Sequence, residues 1–564
     1  MGRFRDMLFY QELVKELKRR DISEQQLAKL KRDLALKYRL NKIPTNIDIL
    51  LQANKKDLKQ LKKKLLTKPT RTISGVAPVA IMTKPFPCPH GKCIMCPGGP
   101  ASAFGEMPQS YTGTEPATMR GIRNKFDPYL QVFNRLEQYL LLGHNCEKVE
   151  LIVMGGTFPS FPLDYQEEFI RLALKAMNDF SEKFYARGEF NFLAFKRFFE
   201  LPAKDLMDLK RAEKVQKKII QLKQKRIKSL EKEQHRNETA KIRGVALCIE
   251  TRPDYGRLEQ GQQMLRLGAT RVELGIQSVY DEVLERIQRG HTTAQTKESI
   301  KILKDLGFKV AGHYMPGLPG TDLKKDLEGM KKLFSDPDYR PDMLKIYPCL
   351  VTKGTKLYEE YKEGKFRPLN AKQAAELIVK FKRYVPEYCR IMRVQRDIPT
   401  KQIAAGVEMT NLRQYMHQNY KVKCRCIRCR EPKEEKINWK KVKIKVQEYT
   451  ASGGKEFFIS AEETEKDLLV GFIRMRFPSQ YLRPEMKANT ALIRELHVYG
   501  TATGIGEEGL VQHHGLGKKL MLIAERLAKS KGKSKIVIIS GVGVREYYRK
   551  LGYVREGVYM VKKI

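Results

Sequence analysis

Between residues 76 and 345, short apolar runs alternate with stretches of helical periodicity. The runs are Val76–Met82, Val149–Met154, Val245–Ile249, Arg271–Ile276 and Lys309–Tyr314, and helical spacing covers 129–143 and 294–306. Each run ends in glycine or polar residues: Gly155-Gly156-Thr157, Glu250-Thr-Arg-Pro-Asp254, Gln277-Ser278, Met315-Pro-Gly317. This rhythm predicts a parallel α/β sheet, closed or open, with its chemistry at the strand ends. From about 441 the pattern becomes α+β, with strands at Leu468–Met475, Ala491–Val498 and Lys535–Ile539 and an amphipathic helix at Lys518–Lys529. Residues 1–75 read as helical, with Leu13, Leu17, Leu27 and Leu30 at helical spacing. A helical stretch at about 180–240 interrupts the βα rhythm. The chain thus divides into 1–75, 76–345 with its insertion, a linker at 346–440, and 441–564.

Charge sharpens this picture. In 564 residues, 108 Lys+Arg face 65 Asp+Glu, a net charge of +43. That excess implies a polyanionic partner, most simply nucleic acid. A membrane surface is the alternative, but no apolar run approaches the ~18 residues of a span. The first twenty residues carry charges throughout, so no secretory signal is expected there. Residues 1–75 hold 20 Lys+Arg against 8 Asp+Glu, with a lysine run at 55–64. This stretch is either a solvated face or a phosphate-binding arm. The insertion, with 12 Lys+Arg against 5 Asp+Glu from Lys204 to Arg236, is open to the same two readings.

The ten cysteines form two groups plus Cys146, Cys248, Cys349 and Cys389. Grouping at metal spacing suggests a reducing, cytoplasmic setting and no disulfide framework. Cys88, Cys93 and Cys96 are spaced C-x4-C-x2-C before Pro97-Gly-Gly-Pro100. Three thiolates can hold three irons of a [4Fe-4S] cluster and leave the fourth open to S-adenosylmethionine, the starting point of radical chemistry. A structural zinc, with His90 as fourth ligand, is the plainer alternative. The second group, Cys424, Cys426 and Cys429, suits zinc in a linker, with Cys349 as the candidate fourth ligand and Cys389, His417 and His313 as competitors. A second cluster stays open there. The turn Gln512-His-His-Gly-Leu-Gly517 before a helix offers backbone N–H groups to an anion, and a pyrophosphate of coenzyme A fits.

Taken together, the cysteine loop with Pro97–Pro100, Ser110-Tyr-Thr-Gly113, Met154-Gly-Gly-Thr-Phe158, Glu250–Asp254, Glu273-Leu-Gly-Ile-Gln-Ser278, Arg494-Glu-Leu-His-Val-Tyr-Gly500 and Gly541-Val-Gly-Val-Arg545 resemble the Elongator catalytic-subunit family in its archaeal single-chain form. The resemblance runs from about residue 70 to the end. It implies a radical S-adenosylmethionine partial (β/α) barrel fused to a GNAT acetyltransferase-like domain. The implied reaction is C5 carboxymethylation of the tRNA wobble uridine from acetyl-CoA, through a 5′-deoxyadenosyl radical, with tRNA stimulating acetyl-CoA hydrolysis. Carried over by position, Lys148, Glu495, Leu496, His497, Val498, Leu516, Gly517, Lys518 and Tyr548 would hold acetyl-CoA, with Tyr547 a weaker candidate. Gly155, Gly156, Glu250 and Gln277 would hold S-adenosylmethionine, although each can be read as an ordinary turn residue. An electron donor is implied as a partner; a homodimer and accessory subunits stay open. The competing readings are a protein lysine acetyltransferase using the C-terminal domain alone, and an RNA-binding scaffold with an acetyl-CoA pocket.

Overall fold

The computed structural model describes residues 2–53, 57, 60–61, 64–67, 72, 75–202, 208–433, 435–500 and 515–564. Most of the lysine run at 55–63 and the first part of the glycine turn, 512–514, therefore lie outside the described residues.

The N-terminal region is helical, as its periodicity predicts: α1 (Gly2–Arg19), α2 (Glu24–Lys37) and α3 (Asn46–Gln52). Capping boxes at Ser23/Gln26 and Thr45/Asp48 start α2 and α3 by satisfying otherwise orphaned N–H groups. The helices bury Phe9, Leu13, Leu17, Leu27, Leu34 and Ile49 together, and Phe192 of the insertion packs against this cluster. The arm is thus seated on the insertion, and Lys196 Nζ also donates to Leu51 O.

Seven strands form one all-parallel sheet in sequence order: β1 (Ala77–Met82), β2 (Lys148–Met154), β3 (Arg243–Thr251), β4 (Arg271–Gln277), β5 (Lys309–Tyr314), β6 (Met343–Ile346) and β7 (Arg390–Arg393). Helices such as α4 (Pro128–Leu141) and α5 (Leu163–Phe184) cross between them and cover the outside with Phe133, Leu136, Phe169, Ile170 and Phe180. The sheet does not end near 345: β7 falls inside the stretch expected to be linker. After α5 the insertion continues as α6 (Leu209–Gln224) and α7 (Leu230–Thr239). Part of its basic charge is neutralised locally, with Arg211 on Glu137 (3.1 Å) and Lys214 and Lys218 on Glu200 (2.9 and 2.6 Å).

The C-terminal sheet comprises β8 (Val442–Ala451), β9 (Gly454–Glu463), β10 (Leu468–Phe477), β11 (Thr490–Val498), β12 (Lys535–Ile538), β13 (Val554–Glu556) and β14 (Tyr559–Lys563), in the order 8-9-10-11-12-14-13. Only β11 and β12 pair in parallel, and they do so over Thr490–Ile493 alone. A bulge follows at Arg494, and from Glu495 onward β11 keeps its pairing with β10 while β12 has ended. The two strands therefore splay, and α10, which spans Leu516–Ser530 when the helices of 293–305 and 323–335 are counted as α8 and α9, packs over β10 and β11.

This second sheet docks on the N-terminal ends of the barrel strands. Gly541 and Gly543 make the close approach: a Cβ on Gly541 would lie 2.0 Å from Val245 O, and one on Gly543 2.5 Å from Arg243 Cβ. The contact also buries apolar side chains such as Leu492, Val537 and Ile539 with the barrel core, and it holds a buried ionic group. Arg474, Arg476 and Arg494 are fully buried beside Asp305, Asp342, Glu456 and Glu495. Arg494 grips Asp342 with both guanidinium nitrogens (2.7 and 2.8 Å) and donates to Phe308 O (2.7 Å), while Arg476 reaches Asp305 (2.7 Å). Among the described residues no helix is long and apolar enough to cross a membrane.

Candidate functional site

At the opposite end of the barrel, the loop after β1 carries Cys88, Cys93 and Cys96. Ile94 N donates to Ile287 O (3.2 Å) and Leu357 N to Ile94 O (2.9 Å), which fixes the loop against the strand ends. Gly98 allows the chain to turn beneath it: a Cβ there would meet Pro108 O at 2.4 Å and Tyr111 O at 2.5 Å. Cys93 and Cys96 are buried and Cys88 is half-buried. The three sulfurs are not drawn within 4.8 Å of one another, as those of Cys424, Cys426 and Cys429 are. A single zinc at ~2.3 Å from each sulfur requires such closeness. A cluster that gives each cysteine its own iron spreads them, so the loop fits a [4Fe-4S] cluster better than zinc.

The expected S-adenosylmethionine residues converge on this edge. Gly155 and Gly156, directly after β2, have φ of +123° and +120°, and a Cβ on Gly155 would lie 2.3 Å from Thr83 Oγ1. Only glycine serves there. Gln277 closes β4 with φ +65° and leaves its buried Oε1 without a hydrogen bond among the described residues. Glu250, at the end of β3, accepts from Tyr111 OH (3.4 Å) and Lys345 Nζ (3.4 Å).

Residues that the periodicity did not single out lie between these. Glu273, buried in β4, binds Arg271 (3.2 Å), His313 Nε2 (2.8 Å) and Lys345. Burial opposes ionisation of Glu273, yet Lys345 and Arg271 hold its carboxyl well below the usual range. Burial and then Lys345 push the His313 pKa down, while its hydrogen bond to Glu273 acts against them. Arg271, Glu273 and Gln277 occupy alternate positions of one strand. A strand buried on both faces should be a continuous apolar run, and that departure was the available signal for a polar barrel interior. Around the thiols themselves stand His90, Ser110 and Thr157, which the motifs contained, and Gln109 and Arg289, which the sequence did not single out.

The expected acetyl-CoA residues divide by face. Leu516, Gly517 and Lys518 open α10 behind Gly515, which has φ +73°. Tyr547 faces them: a Cβ on Gly517 would meet its OH at 2.9 Å and Leu496 Cδ2 at 3.8 Å. Leu496 and Val498 pack toward this core, with Tyr548 buried in it. Glu495 and His497 turn toward the barrel instead. The Glu495 carboxylate is bound by Arg474 (2.8 Å) and Lys309 (3.7 Å); burial opposes ionisation, but Lys309 and Arg474 bring it down to about 2. His497 stacks with Phe472 and Tyr499. A role for Glu495 toward the coenzyme is therefore restricted to its backbone. Lys148 starts β2, beside Arg243, at the barrel end that the C-terminal domain covers. Burial lowers its ammonium pKa, and Glu147 acts against this. The strand from Lys148 to Met154 spans about 20 Å at ~3.3 Å per residue. Lys148 and the expected S-adenosylmethionine residues thus lie at opposite ends of one barrel, while Leu516–Lys518 and Tyr548 lie in the docked domain.

Cys424, Cys426 and Cys429 lie within 4.8 Å of one another and fit a zinc ion. Lys382 Nζ donates to Cys429 Sγ at 3.5 Å. Cys349 does not join them, which corrects the expected fourth ligand. It follows the C-terminal end of β6, donates its N–H to Pro316 O (2.9 Å) and packs with Cys93, Ile94 and Cys96. The zinc-type group lies at the other end, where Ile427 N donates to Cys389 O just before β7 (2.9 Å). His313 is likewise engaged in the barrel. Cys389, its thiol pushed up first by burial and then by Cys426, and His417, which also feels Cys426 and Lys382, are the competitors placed beside the group.

Comparison with known proteins matches four family descriptions in order: ELP3 N-terminal domain over residues 7–73, Radical SAM superfamily over 205–333, Radical SAM C-terminal domain over 341–421, and Acetyltransferase (GNAT) family over 417–553. A protein of Methanocaldococcus jannaschii named tRNA uridine(34) acetyltransferase is 46% identical, over 92% of this chain and 90% of its own. The human Elongator complex protein 3 is 39% identical, over 95% and 93%. The solved structure of the archaeal Methanocaldococcus infernus Elp3 with an N-terminal deletion superimposes with a TM-score of 0.70 at 41% identity, covering 87% of this chain and all of that one.

Proposed function

The chain belongs to the Elongator complex protein 3 family, and we propose that it modifies tRNA at wobble uridine 34 by placing a carboxymethyl group on C5. Two relatives are named for tRNA uridine(34), and the match covers nearly the whole chain. The observation that carries the finer reading is a barrel with a cysteine loop at one end and, docked at its other end, a sheet domain that carries a coenzyme-type helix N-terminus on its outer face. An ordinary lysine acetyltransferase has no use for the first.

Cys88, Cys93 and Cys96 would hold the cluster, and Gly155, Gly156, Glu250 and Gln277 would hold S-adenosylmethionine. Gly517 with Leu516 and Lys518 would receive the pyrophosphate of acetyl-CoA, and Lys148 would contact it from the barrel side. When bound, the cluster with S-adenosylmethionine supplies a 5′-deoxyadenosyl radical, and acetyl-CoA supplies the two-carbon unit. The chain's own residues orient and enclose. Gly155 and Gly156 admit a ligand to the strand ends without side-chain obstruction, and the Leu516–Lys518 amides face an anion with the helix dipole behind them. Glu273 with Arg271 and Lys345, and His313 hydrogen-bonded to Glu273, form a polar cluster between the two ends. Because about 20 Å separates those ends, acetyl-CoA cleavage should await tRNA, which completes the site.

Thioester cleavage with and without tRNA tests this. Wild type should be slow alone and fast with tRNA. Gly517→Phe should lose cleavage, because the added ring collides with Tyr547 and covers the amides, while tRNA binding is retained. Equal rates with and without tRNA would reject the gating and favour the lysine acetyltransferase.

A further inference from the structure

The donors around the three loop thiols are unequal. Cys88 Sγ has Thr157 Oγ1 at 3.5 Å, and Cys96 Sγ has Gln109 Nε2 at 3.3 Å and Ser110 Oγ at 3.7 Å. These partners are neutral. Cys93 Sγ has His90 Nε2 at 3.2 Å and, at 3.7 Å, the guanidinium of Arg289.

Arg289 is buried and held from several sides. Its Nη2 donates to Gly275 O (2.9 Å), and a Cβ on Gly275 would lie 2.4 Å from that nitrogen. The carbonyls of Arg289 and Gly290 accept from Arg252 at 2.7 and 2.9 Å, and Arg252 is itself clamped by Asp254 at 2.9 and 2.8 Å. Gly290, with φ +70°, brings this segment onto His90: a Cβ there would lie 2.7 Å from His90 Cβ. The chain thus places one permanent positive charge as a direct donor to one of three sulfurs, in a buried setting that screens it little, while Arg396, bonded to Ser110 O, acts on Cys96 without donating to it.

We propose that Arg289 is a positioning residue that raises the reduction potential of a [4Fe-4S] cluster held by Cys88, Cys93 and Cys96, with Arg252 keeping it in place. The inference rests on the reading that these cysteines hold such a cluster. A cluster on thiolates becomes more negative by one charge on reduction. A buried guanidinium next to a ligand sulfur favours the more negative state, and charge and hydrogen bonds at the sulfurs are known levers on such potentials. Arginine suits this because it stays protonated throughout the working pH range.

The test uses full-length protein reconstituted anaerobically with iron and sulfide, without S-adenosylmethionine: wild type, Arg289→Gln, Arg289→Lys and Arg252→Gln. Iron and sulfide contents are measured first. Potentiometric titration with dithionite and mediators then follows the electron paramagnetic resonance signal of the reduced cluster. In Arg289→Gln the reduced-to-oxidised ratio at fixed potential should fall about tenfold, 59 mV for a one-electron couple. Arg289→Lys should fall less, and Arg252→Gln should move in the same direction. Wild type that takes up no iron at this loop would refute the cluster itself. Arg289→Gln with full iron and the wild-type midpoint would overturn the inference while leaving the cluster intact. If Arg289→Gln takes up no iron, Arg252→Gln decides: a lowered midpoint supports the proposal and an unchanged one overturns it.

Discussion

Arg494→Met removes one arginine from the buried contact between barrel and C-terminal sheet. Its guanidinium is the bidentate partner of Asp342 (2.7 and 2.8 Å) and also reaches Glu456 (2.9 Å); all three groups are buried. Removing one side of a buried ion pair costs about 3–5 kcal/mol, because the remaining charge loses its partner without regaining water. Here Asp342 keeps the Val310 amide (2.9 Å) and a distant Arg474 (3.6 Å), and Glu456 keeps Arg476 (2.9 Å). The loss should therefore fall at the lower end, about 3 kcal/mol. Arg494→Met with Asp342→Leu should recover much of it, since no unpaired carboxylate remains at that position. The chain has a single tryptophan, Trp439 at the edge of the C-terminal domain, so urea unfolding followed by its fluorescence reports on this docking. Burial opposes ionisation of Asp342, yet Arg494, Lys304 and Arg474 hold its carboxyl far below the usual range. A depressed acid contributes stability that is complete above its unfolded value of ~3.9 and lost only as pH falls through the folded one. The gap between wild type and Arg494→Met should thus persist from pH 8 to pH 5. A loss under about 1 kcal/mol, or a double variant no better than the single, would refute the reasoning.

Three further outcomes are expected. Burial raises the Asp326 carboxyl to about 7 while the Gly317 N–H, at 2.7 Å, acts against this, so its stabilising protonated form is lost as pH rises from the unfolded value through about 7. Asp326→Asn, which can still accept from Gly317, should melt above wild type at pH 8 and close to it at pH 5. Deleting residues 1–70 should weaken tRNA binding and flatten the dependence of log affinity on log salt by about one unit per lost phosphate contact; an unchanged slope would leave the arm as a solvated helical unit. Replacing Cys424, Cys426 and Cys429 with serine should remove about one equivalent of zinc and leave the iron content intact, as metal analysis would show.

The first strands of the barrel were legible because each apolar run stops at glycine or polar residues. The seventh was not: Arg390-Ile-Met-Arg393 is short and charged at both ends, and only its pairing beside β6 makes it a strand. Spacing along the chain is what marked the cysteine loop and the glycine turn as candidate sites. Cys349 was misplaced because spacing does not say at which end of a strand a residue lies. Arg289 and Cys93 meet across 196 residues, and Asp342 and Arg494 across 152, so neither the sulfur environment nor the docking face could be read from local pattern. Glu495 shows the same limit. Its motif pointed to the coenzyme, while the bulge at Arg494 turns the Glu495 side chain, like that of Arg494, to the barrel.

The most direct measurement is mass analysis of tRNA nucleosides after anaerobic incubation of the reconstituted protein with tRNA, acetyl-CoA, S-adenosylmethionine and a reductant. The account expects a carboxymethyl group on the wobble uridine, absent when S-adenosylmethionine is withheld or when Cys88, Cys93 and Cys96 are replaced by alanine. Unmodified uridine in a protein with its full iron content, together with acetyl groups on lysines, would contradict it.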